Sequence, residues 1–156
     1  MALPRRAGPR PTTTPVNPHT QLDQQPTDPS VRGRLAGLVF ALPGVRERES
    51  LISVPGARAL HLEDSLTSGP PEAFLINREF AHLHPGADES LHAMLPPELL
   101  DEAVAMGWAE QHPVARRGLI PANAVMLFAP RDDDELEVVA SLVQASYAFA
   151  YPDAQL

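Results

Sequence analysis

The order of secondary-structure signals along this chain predicts an α+β fold, with a mainly antiparallel sheet of about 4–5 strands and helices packed on one face. Two observations lead to this prediction. A helix, several short strands, a second helix, a strand and a final helix follow one another. The strands are joined by tight turns, at Pro55-Gly56 and at Pro85-Gly86-Ala87-Asp88-Glu89, rather than by helical crossovers.

The first segment of the chain differs from the rest. Residues 1–28 are rich in Pro, Thr, Gln and Arg and poor in large apolar side chains. Such a composition buries too little surface to offset the entropy lost on ordering. We therefore predict a disordered or loose N-terminal arm over 1–28 and a single α+β domain over 29–152. The domain begins with a helix that Ser30 would cap and that Pro43-Gly44 would end.

Strand signals fill the middle of the chain. Val45–Val54, Ala57–Glu63 and Ala73–His84 are rich in β-favouring or alternating residues, and the last of these bends near Asn77. Ser90–Leu95 follows across a turn and is predicted to pair with the strand before it.

Helical signals dominate the C-terminal part. Pro96-Pro97 suits the first turn of a helix that Gly107 would end, and an apolar strand follows a connector over Glu110–Ala122. That strand is predicted over Ala124–Phe128. Asp132 and Glu135 have capping-box spacing and open a long final helix. Its buried face is predicted to carry Leu136, Val139, Ala140, Val143, Tyr147 and Ala150.

The central hairpin is predicted to place three histidines on one face of the sheet. Side chains alternate along a strand, so residues two apart share a face. The turn at 85–89 suggests a register with these opposed pairs: His84 with Ser90, His82 with His92 and Phe80 with Met94.

The same alternation assigns the neighbouring residues to faces. Arg78 shares the histidine face, whereas Glu79, Ala81 and Leu83 are predicted to face the helices. A carboxylate there needs a partner, so we expect Glu79 to form a structural ion pair.

Composition excludes several kinds of chemistry. The chain has no cysteine, and all 12 basic residues are arginine. Disulfides, thiolate ligands and lysine Schiff bases are therefore excluded. The net charge of −8 argues against nucleic acid and anionic membranes as partners. No apolar run approaches the roughly 18 residues of a membrane span, and none follows Arg5 and Arg6 as in a signal peptide. We expect a cytoplasmic protein.

The histidines His82, His84 and His92 permit three interpretations. A neutral imidazole takes a proton from an enol or from water near neutral pH, which would make the cluster an acid–base catalyst. The pair His-x-His with a cross-strand histidine also suits Zn, Fe or Cu, with Glu63 or Glu110 as a further ligand. Such a metal site is the less favoured interpretation. In the third, the histidines are hydrogen-bonded structural groups.

Other side chains have a functional and a structural interpretation each. Arg78 would bind an anion or an enolate oxygen through its planar fork, or form a salt bridge. Phe80 and Met94 would line an apolar pocket floor or simply pack. Trp108 would be a substrate platform or a core residue, and His112 a lid residue or a surface residue. The run Asp132-Asp133-Asp134 is explained by the dipole of the final helix rather than by a metal.

Four blocks of sequence, in order, resemble the luciferase domain of fungal luciferases. The resemblance covers roughly Val54 to Ala150 and is carried by REFAHLHP, SLHAMLPPEL, GWAEQHPVA and VMLFAPRDDDELEVVASLVQASYAFA. Similar domains recur in small bacterial proteins, and we expect this chain to be of that kind. The polar residues that the resemblance singles out are Arg78, Glu79, His82, His84, His92, Trp108 and His112.

The resemblance implies a function. Fungal luciferases add oxygen to a hydroxylated pyrone, 3-hydroxyhispidin, and are thought to need neither flavin nor metal. By analogy, we expect oxygenase-like chemistry on an electron-rich enol or phenolic small molecule, with molecular oxygen as co-substrate and no other cofactor. The expected catalytic residues are His82, His84, His92 and Arg78, and the expected substrate-binding residues are Phe80, Met94, Trp108 and His112.

Two alternatives belong to other classes. One is a metal-dependent hydrolase or oxygenase in which His82, His84 and His92 hold a divalent ion. The other is a non-catalytic module that binds a small aromatic metabolite. The sequence does not indicate an oligomeric state.

Overall fold

The computed structural model describes residues 2–155. The helices are α1 (Ser30–Phe40), α2 (Pro97–Ala105), α3 (Pro113–Arg116) and α4 (Asp133–Ala150), and a short 3-10 turn spans Pro71–Ala73. The strands are β1 (Val45–Glu49), β2 (Arg58–Leu62), β3 (Glu79–Leu83), β4 (Leu91–Met94), β5 (Ala109–Gln111) and β6 (Ala124–Leu127).

The strands form one antiparallel sheet in the order β1-β2-β3-β4-β6-β5. The predicted α+β class is therefore confirmed, with six strands rather than four or five. The additional strand is β5, which begins the segment predicted as a connector. β5 is only three residues long, so it carries too little alternation to be recognised in the sequence.

Helices α1 and α4 cover one face of the sheet. The predicted stripe of α4, from Leu136 to Ala150, is buried against that face together with apolar residues of the inner strands. The start of α4 also agrees with prediction, because Asp132 accepts a hydrogen bond from the Glu135 backbone N–H at 2.9 Å. The opposite face carries His82 and His92 together with buried apolar residues such as Met94 and Ala124.

None of the described helices combines the length and the apolar character required to cross a bilayer.

A β-bulge between β2 and β3 changes the predicted faces. Leu60 pairs with Ala81, but His61 pairs with Glu79, so Phe80 is an extra residue on β3. Two residues on one strand opposing one on its partner reverse the alternation beyond that point. As a result, Phe80 packs against the helices and Glu79 faces the histidines. The prediction was the reverse for both residues.

A tight turn shortens the strand that contains this bulge. Asn77 has a φ of 51°, a left-handed conformation that Asn tolerates better than most residues, and the Glu79 N–H donates to the Ile76 carbonyl at 2.9 Å. The bend expected near Asn77 is therefore present. β3 begins after it, at Glu79.

The N-terminal segment, for which we expect a disordered or loose arm over 1–28, makes specific contacts with the domain. The Arg6 N–H donates to the Met106 carbonyl at 2.9 Å. The Trp108 indole donates to the Pro4 carbonyl at 2.6 Å, and the Ala129 N–H donates to the Gln21 side chain at 2.8 Å. Polar contacts of this kind hold the segment together with the packing of Leu3 against the core, and such contacts leave no pattern in its composition.

Candidate functional site

The candidate site is built on β3 and β4, on the face opposite the helices. The strands pair His82 with His92 as predicted, and the His84 N–H donates to the Ser90 carbonyl at 3.2 Å. Alternation then brings His82, His84 and His92 together. All three are buried, at 2%, 6% and 4% exposure respectively. The predicted convergence of these imidazoles is confirmed.

His92 lies at the centre of this cluster. Its Nδ1 atom lies 3.1 Å from His82 Nε2 and 3.0 Å from His84 Nε2. On the other side of the ring, His92 Nε2 lies 2.9 Å from His19 Nδ1. Both nitrogens of His92 therefore face other imidazoles.

Carboxylates stand behind the two outer rings. His82 Nδ1 lies 2.7 Å from Glu79 Oε2, which also accepts a hydrogen bond from the Ser50 hydroxyl at 2.9 Å. His84 Nδ1 lies 3.1 Å from Asp88 Oδ2. Because an ionised carboxylate only accepts hydrogen bonds, it favours the tautomer in which the facing ring nitrogen carries the proton. The Nε2 atoms of His82 and His84 then carry a lone pair and no proton.

The N-terminal arm contributes His19 to the same cluster. The His19 ring stacks on His92 with centroids 5.0 Å apart, and its side chain is fully buried. His19 Nε2 lies 3.6 Å from Glu110 Oε2 on β5, and that carboxylate also pairs with Arg10 at 3.1 Å. A third carboxylate thus stands behind a third imidazole.

His112 completes the group from the start of α3. Its Nδ1 atom caps that helix by accepting a hydrogen bond from the Val114 N–H at 3.0 Å. Its ring lies 4.6 Å from that of His92, centroid to centroid. Since Nδ1 is an acceptor, the proton of the neutral ring is on Nε2, which can donate to a bound molecule.

Burial keeps several of these rings neutral. It lowers the pKa of His92 well below 6.5, and the neighbouring rings of His84 and His82 lower it further. Burial also lowers the pKa of His82, although the hydrogen bond to Glu79 opposes this. For His112, burial and then His19 lower the pKa from 6.5 to about 4. These rings are therefore neutral at neutral pH.

A cavity of about 650 Å³ adjoins the cluster, within the size range of small-molecule sites. The histidines 19, 82, 84, 92 and 112 form one part of its wall. Apolar side chains form much of the rest: Ile52, Val54, Leu75, Val114 and Ile120. A small, mostly apolar molecule would therefore meet imidazole nitrogens at one side of the cavity.

Arg78 is not part of this site. Its guanidinium donates to the backbone carbonyls of Leu62, Glu63 and Leu66. The turn before β3 directs the side chain to these carbonyls, so the contacts that it makes here are structural ones.

The predicted apolar contacts to substrate also need correction. Phe80 packs on Tyr147, with centroids 6.1 Å apart, because the bulge turns it toward the helices. Trp108 is 3% exposed in the helix-side core and anchors the arm. Met94 is fully buried and packs with Leu75 and Ile120, so it supports the cavity wall from behind. Of the four predicted substrate-binding residues, His112 lines the cavity.

Two further residues considered from the sequence lie elsewhere. His61 pairs with Asp64 at 3.3 Å, and Glu63 pairs with Arg46 at 2.6 Å. Glu110, by contrast, does reach the cluster through His19.

Sequence reasoning missed His19, Asp88 and Ser50, and assigned Glu79 to the wrong face. A histidine within a proline-rich arm carries no periodic signal, and Ser50 lies far from its partner along the chain. The sequence indicates Asp88 only as a residue of the turn at 85–89. An acidic residue four positions after a histidine in a hairpin turn is the one signal that could have identified it.

Comparisons with known proteins find similarity to luciferases. Residues 77–146 match the family model described as Luciferase domain. The chain is 30% identical over 167 residues to a protein named Luciferase from Armillaria ostoyae, and the alignment covers 97% of this chain and 62% of that protein. The Luciferase of Armillaria mellea gives the same identity and coverage.

A third relative matches a shorter region. The Luciferase of Neonothopanus nambi is 36% identical over 78 residues, which cover 49% of this chain and 29% of that protein. No solved structure gives a significant match. The chain spans less than two thirds of the length of the Armillaria proteins. The family-model match includes β3, β4 and the histidines His82, His84, His92 and His112, and the matches together support a luciferase-domain family for this chain.

Proposed function

We propose that this chain is a luciferase-like enzyme that oxygenates a small, electron-rich enol, such as a hydroxypyrone or a phenol, bound in the cavity beside the histidine cluster. One observation carries the proposal: at the wall of a largely apolar cavity, His82 Nε2 and His84 Nε2 each lie about 3 Å from His92 Nδ1. Family membership supports the reaction type, since the relatives are named luciferases.

The proposed chemistry begins with an acidic enol hydrogen. An unprotonated ring nitrogen of the cluster takes this proton, because a neutral imidazole is a competent base near neutral pH. His112 donates from Nε2 to the enolate oxygen and stabilises its negative charge. The apolar residues Leu75, Val114 and Ile120 keep water away from the electron-rich ring while oxygen, the co-substrate, adds to it.

A second candidate uses the same residues. The convergence of three ring nitrogens also supports a metal-dependent oxygenase or hydrolase, in which the nitrogens hold a cation rather than take a proton. The two candidates share the cavity and differ in what occupies the centre of the cluster.

Oxygen uptake tests the proposal. The chain is mixed with a panel of hydroxypyrones, enols and phenols, and dissolved oxygen is followed with an electrode. We expect uptake by the wild-type chain and a loss of about 100-fold or more in His92→Ala, because general base catalysis contributes about 10²–10⁴-fold. His61→Ala is the matched control, since His61 pairs with Asp64 away from the cluster.

The remaining outcomes would contradict the proposal. Binding of a panel compound without any oxygen uptake would favour a non-catalytic binding module. Uptake that is unchanged in His92→Ala would place the chemistry outside the cluster.

A further inference from the structure

We infer that His82, His84 and His92 form a binding site for a divalent first-row transition-metal ion, with an open coordination position on the cavity. The inference bears on the second candidate function, in which the nitrogens hold a cation, and rests on that candidate only for what the ion would do. The ion binding itself follows from the directions of the hydrogen bonds around the three rings.

Carboxylates determine which ring nitrogen carries the proton in His82 and in His84. Glu79 accepts from His82 Nδ1 and Asp88 accepts from His84 Nδ1, so each ring carries its proton on the outer nitrogen. A neutral imidazole has a single N–H. The Nε2 atoms of His82 and His84 therefore carry no proton, and their lone pairs are directed at His92 Nδ1, at 3.1 and 3.0 Å.

In His92, the position of the proton depends on Glu110, which acts through the His19 ring. The carboxylate of Glu110 lies 3.6 Å from His19 Nε2, which is longer than a hydrogen bond, and its negative charge favours a proton on that nitrogen. His19 Nδ1 is then an acceptor. His92 then donates from Nε2 to His19 Nδ1 across their 2.9 Å contact. The lone pair of His92 is left on Nδ1, and it faces the other two.

Two lone pairs thus face the third at 3.0 and 3.1 Å, and all three ring nitrogens lie within 4.8 Å of one another. This crowding of lone pairs is unfavourable unless a positive charge lies between them. A proton forms a directional bond and joins two nitrogens, whereas a metal ion accepts all three. Metal–nitrogen bonds of about 2.1 Å, at angles between octahedral and tetrahedral, put ligand nitrogens about 3.0 to 3.4 Å apart. The observed separations of 3.0 and 3.1 Å lie in that range.

The surrounding charge also favours a dication. Glu79, Asp88 and Glu110 contribute three negative charges, and Arg10, whose side chain is 57% exposed, pairs with one of them. The arrangement in which a carboxylate orients each histidine ligand is the usual outer shell of a metal site. Imidazole donors without a thiolate suit Zn²⁺, Fe²⁺, Co²⁺ or Cu²⁺ rather than Ca²⁺ or Mg²⁺.

A second group of histidines within reach of one another is less suitable. His19, His92 and His112 also place ring nitrogens within 4.8 Å. However, His112 Nδ1 is occupied by its helix-capping hydrogen bond, and His19 and His92 are hydrogen-bonded to each other. In the second candidate function, an ion on the first group would hold the enolate oxygen and lower the pKa of the enol.

Metal titration of the full chain tests the inference. The protein is purified without a polyhistidine tag, freed of metal with a chelator, and titrated with Co²⁺ by absorption spectroscopy and with Zn²⁺ by calorimetry. We expect one ion per chain and a cobalt spectrum typical of nitrogen ligands. His84→Ala should abolish this binding, and His61→Ala should leave it unchanged.

Glu79→Gln provides a variant that keeps the shape of the site. Loss of a carboxylate behind a ligating histidine should weaken binding by about 10- to 100-fold. If His84→Ala fails to fold, as judged by circular dichroism, Glu79→Gln decides the test. Absence of Co²⁺ and Zn²⁺ binding by the wild-type chain, or wild-type affinity in Glu79→Gln, would overturn the inference.

The outcome is separable from that of the proposed function, because no organic substrate is used. A chain that binds one ion but consumes no oxygen with any enol overturns the proposed function alone. A metal-free chain that consumes oxygen at an undiminished rate overturns the role assigned to the ion.

Discussion

Replacing Phe80 with alanine tests the effect of the bulge on β3. Strict alternation would put this ring in the cavity as a contact to substrate. The bulge instead buries it completely among helix-side residues, where it packs on Tyr147. The two placements predict different consequences for stability and for binding.

The expected loss of stability is large. Truncating a buried phenylalanine costs about 3–5 kcal/mol, because both the transfer energy of the ring and the packing around it are lost. A domain of ordinary stability has about 5–15 kcal/mol in total, so Phe80→Ala removes a substantial share. With a urea dependence of about 1–3 kcal/mol per molar, the unfolding midpoint should fall by about 1 M or more.

Urea unfolding followed by circular dichroism measures this shift. Leu51→Ala is the control, because Leu51 is 74% exposed and its truncation should change stability by less than about 0.5 kcal/mol. Folded Phe80→Ala should still bind metal or enol as the wild-type chain does. An unchanged midpoint together with lost ligand binding would mean that the ring faces the cavity, and the bulge assignment would be wrong.

Two further predictions concern the arm and the start of α4. Gln21→Ala removes the acceptor for the buried Ala129 N–H, so it should cost about 1–3 kcal/mol and speed hydrogen exchange in the arm; unchanged exchange would show that this contact does not hold it. Burial alone would raise the pKa of Glu135, but hydrogen bonds from Arg131 outweigh the effect of burial and hold this pKa below 4.5. The charged side chain therefore stabilises the fold above that pH, and this contribution is lost as the pH falls through the lowered pKa. Urea unfolding of Glu135→Gln at pH 7 and about pH 3 should show a deficit relative to wild type that shrinks in acid; an equal deficit at both pH values would contradict the assignment.

The arm links the stability of the chain to its candidate site. His19 reaches His92 because Gln21, two residues later, is held by the backbone of Ala129. The alignment with the Armillaria proteins covers 97% of the chain and so includes most of this segment. A segment whose composition predicts a loose arm thus supplies a hydrogen-bond partner to His92, a proposed metal ligand.

Local sequence patterns determined much of the fold. The final helix, its Asp132 cap and its buried stripe follow from helical periodicity, because every member of that pattern is near its neighbours in sequence. The pairing of His82 with His92 follows in the same way from alternation and a short turn. These predictions needed no information about distant parts of the chain.

The tertiary structure decided the rest, because the deciding contacts join residues that are far apart in sequence. One extra residue in β3 exchanged the faces of Glu79 and Phe80, and it turned a supposed structural carboxylate into the partner of His82. The docking of the arm brought His19 across 73 residues to His92. Neither event leaves a periodic trace in the sequence, since a bulge interrupts the period and an irregular arm has none. The convergence of His82, His84 and His92 was therefore predictable from the sequence, whereas the contribution of His19 and the carboxylates that contact these rings was not.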